Sequence, residues 1–330
     1  MPVGFWGWRV RLMRFLTDSA AVLSEWRVFA DAGRHCIPMR SREERVWRAL
    51  AGEDQPWEVF ARDMGLPEEL GVMVSYSAVS QFDAIHELIL EGVELPRCLV
   101  AVALEGSNFH GQGGRPWVAL AGNLHLTVFF QVDMDASDTL GAIPVLPTLA
   151  VMDAFGIQAD PSERTGIRWV NDVFVRGRKL AGSIAVSEVE GSRLEGLLFG
   201  IGANVETIPE VPGNVFVPQA TSLRQIFPQA EWTVEHALFA LLRGLVNWVE
   251  RLGAGGAALL VREYARRSAC IGREVKIWSK QTRDVSREQP IACGALEGIG
   301  PDLSLKLEGC EDVVMEGRLA FAEDCRRFGV

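Results

Sequence analysis

Polar residues that could bind and polarise an anionic substrate are concentrated in two short strings, RWVND at residues 168–172 and RKLAG at 178–182. Apolar residues alternate before, between and after these strings, which predicts a strand, a tight turn and a second strand. Two such strands would hold Asn171, Asp172 and Lys179 as fixed neighbours, which is the rigid mounting that a chemical site requires. The alternative is a solvated hairpin whose charges serve no chemistry.

A glycine-rich loop at residues 106–117 (GSNFHGQGGRPW) is the second candidate segment, and it follows an apolar run at 99–104 that predicts a buried strand. Three glycines leave backbone N–H groups unshielded, and Arg115 adds a full charge beside them, so the loop could wrap an anion. These glycines are Gly111, Gly113 and Gly114. The alternative is an ordinary flexible connection. The sequence has no Walker A pattern, and the GIGAN string at 200–204 does not complete a dinucleotide fingerprint.

Four ordered strings of this chain resemble the motifs of the biotin protein ligases. In that family the motifs read GRGRxGRxW, KWPND, RKLAG and GIGxN, in the same order and with similar spacing. The corresponding strings here are FHGQGGRPW at 109–117, RWVND at 168–172, RKLAG at 178–182 and GIGAN at 200–204. The resemblance extends over residues 74–321. It implies an α/β (α+β) fold with a class II synthetase-like mixed-sheet catalytic domain, followed by a small Src-homology-3-type β-barrel.

The resemblance also implies a two-step reaction in which ATP and biotin are the substrates. The biotin carboxylate attacks the α-phosphate of ATP and gives biotinyl-5'-AMP and pyrophosphate. A lysine of a biotin carboxyl carrier protein, the carrier domain of a biotin-dependent carboxylase, then attacks the acyl carbon and releases AMP. Two anions meet in the first step, so positive charge and oriented N–H donors should stabilise it. By correspondence with the family motifs, the predicted catalytic residues are Lys179, Arg115 and Arg168.

The same correspondence predicts the binding residues. Those for biotin are Ser80, Gln81, Gly111, Gln112, Gly113, Gly114, Lys179 and Gly182. Those for ATP are Arg115, Trp117, Asn171, Asp172 and Asn204. Trp117 would stack on adenine and Asn204 would contact the adenine edge. Asp172 is in addition the predicted ligand of Mg²⁺, a hard cation that prefers oxygen ligands.

Several positions depart from the family pattern. Gln112 and His110 stand where the family loop has arginines, Arg168 replaces the KWPND lysine, and Val170 replaces its proline. A short STN motif that helps to bind biotin in the family aligns only loosely with residues 79–81. Glutamine in place of arginine removes a charged donor to phosphate, which is worth about 1.5–3 kcal/mol, or roughly ten- to a hundredfold in affinity or rate. We therefore expect an active ligase, weakened by Gln112, that holds its adenylate loosely.

Two other functions remain open on this sequence. One is a sister enzyme of the same superfamily that ligates lipoate or octanoate. The RKLAG string and the carboxy-terminal segment argue against this alternative. The other is a non-catalytic binder of biotin or nucleotide with a decayed loop. Lys179, Asn171 and Asp172 argue against complete decay. Gln112 argues for it, and so does Gly106, which stands where the family loop usually opens with a glutamine. Nucleotide turnover distinguishes a ligase from a non-catalytic binder. The ligand that the protein prefers distinguishes a biotin ligase from a lipoate or octanoate ligase.

The composition predicts a cytoplasmic enzyme. The chain has 330 residues and is 48% hydrophobic, which is enough for a large core and two or three domains. Its net charge of -10 argues against nonspecific nucleic-acid binding, which depends on a basic surface. The 6 cysteines show no metal-binding spacing and are interpreted as reduced thiols. No apolar run is long enough to predict a membrane span.

Residues 1–70 lie outside the resemblance and are predicted to form a helical amino-terminal extension of unknown role. The pattern favours an amphipathic helix over residues 1–16 and short helices over 41–52 and 56–65. Too few residues separate the last of these from the first catalytic strand for a recognition helix and a wing, so DNA binding is not expected. The sequence leaves open whether the protein forms a homodimer.

Residues 71–268 are predicted to form the catalytic domain and 269–330 the β-barrel. The strands predicted in the catalytic domain are 72–77, 99–104, 124–132, 166–170, 179–188 and 194–205, and its predicted helices are 80–91, 138–155, 233–252 and 256–267. The strands predicted in the barrel are 274–278, 291–296, 303–307 and 313–315.

Overall fold

The computed structural model describes residues 10–19, 22, 26, 41–52, 57–67, 70–282 and 284–330. Its strands are β1 (Val10–Thr17), β2 (Glu58–Pro67), β3 (Leu70–Ser77), β4 (Cys98–Gly106), β5 (Leu124–Asp135), β6 (Gly166–Arg168), β7 (Asp172–Val175), β8 (Arg178–Glu190), β9 (Arg193–Ala203), β10 (Glu274–Trp278), β11 (Ala292–Ile299), β12 (Leu305–Leu307) and β13 (Arg318–Phe321). Its α-helices are α1 (Ser41–Ala51), α2 (Gln81–Leu90), α3 (Leu146–Ala154), α4 (Leu223–Ile226), α5 (Val234–Arg251), α6 (Ala257–Arg266) and α7 (Ala322–Arg327).

A large mixed sheet of 9 strands has the order β2-β1-β3-β4-β5-β9-β8-β7-β6. The pairs β1–β3 and β3–β4 are parallel. The other pairs are antiparallel. Strands β7, β8 and β9 are consecutive in this order and β5 follows β9. The polar strings that the sequence predicts to act together are therefore neighbours in the sheet.

Strand β4 shows why helices cover both faces of this sheet. Successive side chains of a strand point to opposite faces, so an unbroken apolar run needs a core on each side. Cys98, Val100 and Val102 are buried in the core formed with α3, α5 and α6, whereas Leu99, Ala101 and Ala103 are buried in the core formed with α1 and α2. The two cores pack against both faces of the central strands, which lie in the same sheet as the strands that carry the polar residues.

Most of the predicted elements of the catalytic region are confirmed, with differences of a few residues at their ends. The helix predicted over 138–155 begins instead as a 3₁₀ segment at Leu140–Val145, followed by α3. Pro144 lies in the 3₁₀ segment and Pro147 in the first turn of α3, where the missing proline N–H breaks no helical hydrogen bond. Among the described residues, no helix has the length and the apolar character that crossing a bilayer needs.

The amino-terminal region is only partly helical, so this prediction needs correction. The helix predicted over 41–52 is confirmed as α1, but β2 occupies most of the segment 56–65 that was predicted as a second helix. Residues 10–16 of the predicted amphipathic helix form part of β1, and residues 1–9 lie outside the described residues. Both strands gain backbone partners in the large sheet, and pairing with distant strands overrides the local pattern of so short a segment.

These two strands also bear on the predicted domain organisation. Because β1 pairs with both β2 and β3, the large sheet extends across the boundary predicted at residue 70. In the described part of this region, α1 is followed by a strand and not by the second helix that a helix-turn-helix motif needs.

The carboxy-terminal strands form a sheet of 4 strands in the order β12-β11-β10-β13. Neighbouring strands of this sheet all pair antiparallel. The predicted Src-homology-3-type barrel is not confirmed by this sheet of 4 strands. The strand predicted over 313–315 contributes a single bridge, from Val314 to Leu305. Strand β13 and helix α7 were not predicted, and β13 pairs with β10 at the edge of the sheet.

Candidate active site

A tight hairpin of β7 and β8 presents the two polar strings. Arg176 and Gly177 form its turn with φ angles of 50° and 70°, and positive φ at both central residues matches the twist of a two-residue hairpin. This confirms the predicted strand, turn and strand. Lys179 Nζ lies 2.8 Å from Asp172 Oδ1, and both side chains are partly buried. The two residues that were predicted to be fixed neighbours therefore form an ion pair.

Gly182 leaves the space that this ion pair occupies. It lies opposite Asp172 in the register of β7 and β8. A Cβ atom at residue 182 would lie 2.9 Å from Asp172 Oδ1 and 3.1 Å from Lys179 Nζ. Any side chain at this position would therefore press against the ion pair, which is a physical reason for the glycine of the RKLAG string.

His110 joins the glycine-rich loop to helix α2. Its Nε2 lies 2.7 Å from Asp83 Oδ2, and its Nδ1 lies 3.1 Å from the carbonyl oxygen of Gly111. Both neighbours are acceptors, so both contacts are hydrogen bonds only when the ring is an imidazolium with two N–H donors. The hydrogen bond to Gly111, and after it the contact with Asp83, raise the pKa of His110 against the opposing effect of partial burial. The loop therefore favours a cation at a position where the family motif has an arginine.

Trp117 is held in place by the strand beneath it and by a buried histidine. A Cβ atom at Gly202 of β9 would overlap the indole ring, so the glycine allows the ring to lie close to the backbone. The indole Nε1 donates a hydrogen bond to His125 Nδ1 at 3.2 Å, and His125 Nε2 donates to the carbonyl oxygen of Leu120 at 3.0 Å. These partners need a neutral ring with its proton on Nε2. Burial lowers the pKa of His125 to about 4, in agreement with that state.

The buried His125 should make the protein less stable in acid. Between pH 6.5 and about 4 the unfolded chain binds a proton at this residue while the folded protein does not, so stability is lost as the pH falls through this window. The loss should reach ~3 kcal/mol at the acid end. Measuring the free energy of unfolding by denaturant titration at several pH values should show that His125→Gln removes this slope. The exposed His236→Gln is the matched control, and equal slopes in wild type and His125→Gln would contradict the assignment.

Two cavities meet at the Lys179–Asp172 ion pair. The first lies between the glycine-rich loop and strands β5, β8 and β9, and its walls include Ser80, Phe82, Phe109, His110, Gly111, Leu126, Thr127, Gly182, Ser183, Ile184 and Ile201. The second lies between that loop and the carboxy-terminal sheet, and its walls include Val118, Arg168, Trp169, Asn204, Asn214, Phe216, Arg318 and Leu319. The residues that line both cavities are Gln112, Arg115, Pro116, Trp117, Asn171, Asp172 and Lys179.

Most of the residues predicted from the sequence surround these two cavities. The predicted biotin residues in the wall of the first cavity are Ser80, Gly111, Gln112, Lys179 and Gly182. The predicted ATP residues Arg115, Trp117, Asn171, Asp172 and Asn204 all line the second cavity. Three predicted biotin residues line neither cavity: Gly113 and Gly114 are exposed in a 3₁₀ turn, and Gln81 is buried at the start of α2.

Arg168, predicted to be catalytic, connects the two sheets. It is 2% exposed, and its Nη2 donates to the carbonyl oxygens of Val215 at 3.2 Å and Leu319 at 3.1 Å. Its guanidinium carbon lies 4.8 Å from the ring centroids of both Phe174 and Phe321. Burial lowers its pKa. The side chain faces the second cavity, yet its contacts are those of a residue that fixes the carboxy-terminal sheet against the active-site strands.

Asn204 lines the second cavity and carries a buried, unpaired acceptor. Its Nδ2 donates to the carbonyl oxygen of Thr221 at 2.9 Å, which fixes the amide plane. Its Oδ1 is buried and has no hydrogen-bond partner among the residues described by the structure. Buried acceptors are nearly always paired, so this oxygen is suited to an N–H donor of a ligand.

The walls of the cavities offer little to a metal ion. Asp172 is the one carboxylate that lines either cavity in the described part of the chain, and that part contains no group of three or more His, Cys, Asp or Glu suited to a metal. Proteins often hold Mg²⁺ through one or two carboxylates together with substrate phosphates. Asp172 fits this pattern only in part, because its Oδ1 is already paired with Lys179.

Several wall residues were not predicted from the sequence. In the first cavity these include Phe82, Thr127, Ser183 and Ile184, and in the second they include Asn214, Phe216 and Arg318. Ser183 and Ile184 directly follow the RKLAG string on β8, and this adjacency was the available signal for them. The residues of the second group carry no motif, and only the tertiary fold brings them to the cavity.

The large mixed sheet with helices on both faces places this chain among α/β proteins, and solved structures share its fold. The biotin protein ligase from Aquifex aeolicus, solved in complex with biotin and ATP, has a similar fold, with a TM-score of 0.55 at 18% identity over 76% of this chain and 97% of that chain. Another structure of the Aquifex aeolicus ligase gives a TM-score of 0.51 at 17% identity over 76% of this chain and 96% of that one. At these identities the similarity concerns the fold alone.

Sequence comparison identifies the family. Residues 93–204 match the model of the Biotin/lipoate A/B protein ligase family. A biotin--[acetyl-CoA-carboxylase] ligase of Mycobacterium tuberculosis is 30% identical over 192 residues, which are 57% of this chain and 67% of the relative. One of Paracoccus denitrificans is 28% identical over 179 residues, which are 53% of this chain and 73% of the relative. The chain therefore belongs to the biotin/lipoate A/B protein ligase family, among its biotin protein ligases.

Proposed function

We propose that this protein is a cytoplasmic, ATP-dependent ligase that forms biotinyl-5'-AMP and transfers the biotin to a lysine of a biotin carboxyl carrier protein. The observation that carries the proposal is the position of Lys179 at the meeting point of the two cavities. A ligase of this kind brings the carboxylate of one ligand to a phosphate of another, and a cation between them reduces their repulsion. The names of the Mycobacterium tuberculosis and Paracoccus denitrificans relatives support the same assignment.

The first cavity is the proposed biotin site. Its walls combine the apolar side chains Phe82, Leu126 and Ile184 with the hydroxyl groups of Ser80 and Ser183. This combination suits biotin, which has an aliphatic chain and a ring system with a polar ureido group. The carboxylate at the end of the chain would then reach the junction where Lys179 lies.

The second cavity is the proposed nucleotide site. Trp117 lines both cavities and could stack on adenine, while Asn204 Oδ1 could accept a hydrogen bond from the adenine amino group. Lys179 Nζ lies 5.8 Å from the centroid of the Trp117 ring. One nucleotide could therefore contact both residues, with its base on the indole and its α-phosphate beside the ammonium.

The chemistry follows from these contacts. In the first step a carboxylate oxygen of biotin bonds to the α-phosphorus, and the bond to the bridging oxygen breaks and releases pyrophosphate. Lys179 and Arg115 would stabilise the negative charge on the reacting groups, and Asp172 would hold the Lys179 ammonium in position. Asp172 is the residue that would hold a Mg²⁺ ion, which when bound would supply positive charge to the phosphates. In the second step the neutral amine of the carrier lysine bonds to the acyl carbon and gives up a proton to solvent, and the bond from that carbon to the AMP oxygen breaks.

The direct test is an assay of pyrophosphate release with biotin and ATP, with and without a biotin carrier domain. The proposal expects release that depends on biotin, and biotin attached to the carrier lysine. Release that depends on lipoate or octanoate instead would identify the sister activity. Binding of biotin without any release of pyrophosphate would identify a non-catalytic binder.

Gln112 should allow the adenylate to dissociate faster than an arginine would. It lines both cavities, so it lies beside the junction where the α-phosphate of the adenylate would remain after pyrophosphate leaves. Gln112→Arg adds a charge-assisted donor and should slow dissociation of biotinyl-5'-AMP roughly ten- to a hundredfold. A chase of radiolabelled adenylate from the wild-type and variant proteins measures this rate. An unchanged rate would show that Gln112 does not weaken the site.

A further inference from the structure

Arg318 reaches the second cavity from the side opposite the glycine-rich loop. It begins strand β13 and lines the cavity together with Arg115. Its guanidinium carbon lies 3.6 Å from the centroid of the Phe216 ring, and its Nη1 donates to the carbonyl oxygen of Thr282 at 3.3 Å. No carboxylate of the described residues forms an ion pair with it. The side chain is therefore fixed against one wall, while most of its five N–H donors remain for a ligand.

The side chains in the walls of this cavity carry a net positive charge. Asp172 is paired with Lys179, which leaves Arg115 and Arg318 without a carboxylate in the walls of the described cavity. Partial burial, and after it repulsion from Arg115, lower the pKa of Arg318 to about 10, so both arginines remain cations at neutral pH. Two cations that repel each other across a cavity are stabilised when an anion with several charges lies between them. A polyphosphate has that chemistry.

We propose that Arg318 binds the β- and γ-phosphates of ATP, the part of the nucleotide that leaves as pyrophosphate. This inference rests on the proposed function, which assigns ATP to the second cavity. Arg318 lines only that cavity, whereas Lys179 lines both and stands at the junction with the biotin site. The arginine therefore contacts the phosphates beyond the one that biotin attacks. The carboxy-terminal sheet thereby supplies a binding residue to the site as well as covering it.

Arg318→Gln tests this assignment by a comparison of nucleotides. Isothermal titration calorimetry should show a Kd for ATP raised roughly ten- to a hundredfold, because a charge-assisted donor is lost. The Kd for AMP should change less than about threefold, because AMP lacks the terminal phosphates, and biotin binding should not change. Arg318→Lys retains the charge but loses the planar fork and the stacking on Phe216, so its Kd for ATP should lie between those of wild type and Arg318→Gln.

Lys280→Gln is the matched control. Lys280 is an exposed cation of the same region, paired with Glu316 at 2.8 Å, and it lines neither cavity, so its replacement should change neither nucleotide affinity. Thermal unfolding of each variant checks that the fold is intact, and the intermediate Arg318→Lys variant serves if Arg318→Gln does not fold. Equal losses of ATP and AMP affinity, or no loss of either, would overturn the role in phosphate binding.

The binding measurements also separate this inference from the proposed function. Wild-type protein that binds ATP but releases no pyrophosphate in the presence of biotin would overturn the ligase activity alone. In that case the comparison of ATP with AMP still decides the role of Arg318. Wild-type protein that binds neither nucleotide would overturn both proposals.

Discussion

Replacing Lys179 by alanine should reduce biotin-dependent pyrophosphate release roughly 10²- to 10³-fold, the effect of removing one preorganised donor from a site of developing charge. The substitution removes the ammonium at the junction of the two cavities and leaves the Asp172 carboxylate without its partner at 2.8 Å. That carboxylate would then repel the carboxylate of biotin and the phosphates of ATP. A continuous pyrophosphate assay at saturating biotin and ATP measures the effect.

Two further variants test the reason for this loss. Arg178→Ala removes the neighbouring cation, which is exposed and lines neither of the two cavities, and should leave the rate within about twofold of wild type. Lys179→Ala combined with Asp172→Asn also removes the unpaired carboxylate, and the double variant should lose less than the product of the two single losses, because neighbouring charges do not act additively. A Lys179→Ala protein that retains more than about a tenth of the activity would show that the ammonium does not act in the first step.

The candidate site was predictable where its residues lie on one hairpin. The alternation of apolar residues determined the faces of β7 and β8, and the short turn between them left little freedom in register. Asn171, Asp172 and Lys179 were therefore predicted as neighbours, and the ion pair between the last two agrees with this. The motif resemblance predicted the chemical roles of these residues, whereas their proximity was predicted from the local sequence alone.

The residues that the sequence did not predict depend on contacts between distant segments. Arg318 has no motif around it, and it reaches the second cavity only because β13 pairs with β10 and Arg168 donates to the carbonyl oxygen of Leu319. Phe216 belongs to a loop between β9 and α4 that has no periodic pattern. Such residues are assembled by tertiary packing, on which hydrophobic periodicity carries no information.

The errors in secondary structure have a related cause. Strand β2 was predicted as a helix because its short segment has apolar residues at a spacing that suits either structure. Its backbone pairing with β1 makes this segment a strand, and β1 joins it to the large sheet by pairing in parallel with β3. The barrel predicted for the carboxy-terminal region is not confirmed, and short turn-separated strands are compatible with both a closed barrel and the observed sheet of 4 strands.

Replacing Gly202 by alanine should weaken ATP binding about 5- to 150-fold, the range expected when a base loses 1–3 kcal/mol of stacking on an aromatic side chain. The new Cβ would overlap the Trp117 ring, which has to move away from β9. That movement would break the hydrogen bond from the indole Nε1 to His125, at 3.2 Å in the native protein, and would remove the fixed surface proposed for adenine. Isothermal titration calorimetry with ATP measures the loss.

Gly298→Ala is a matched control for this experiment, because Gly298 also lies within a strand but a Cβ atom there meets nothing within 4 Å. It should leave ATP affinity unchanged. The Gly202→Ala variant should retain a larger share of its affinity for inorganic pyrophosphate than for ATP, because pyrophosphate has no base to stack. Unchanged ATP affinity in Gly202→Ala would mean that adenine does not use the Trp117 face. Equal losses for ATP and pyrophosphate would mean that the displaced ring disturbs the phosphate-binding residues of the glycine-rich loop, and would assign Trp117 to the support of that loop.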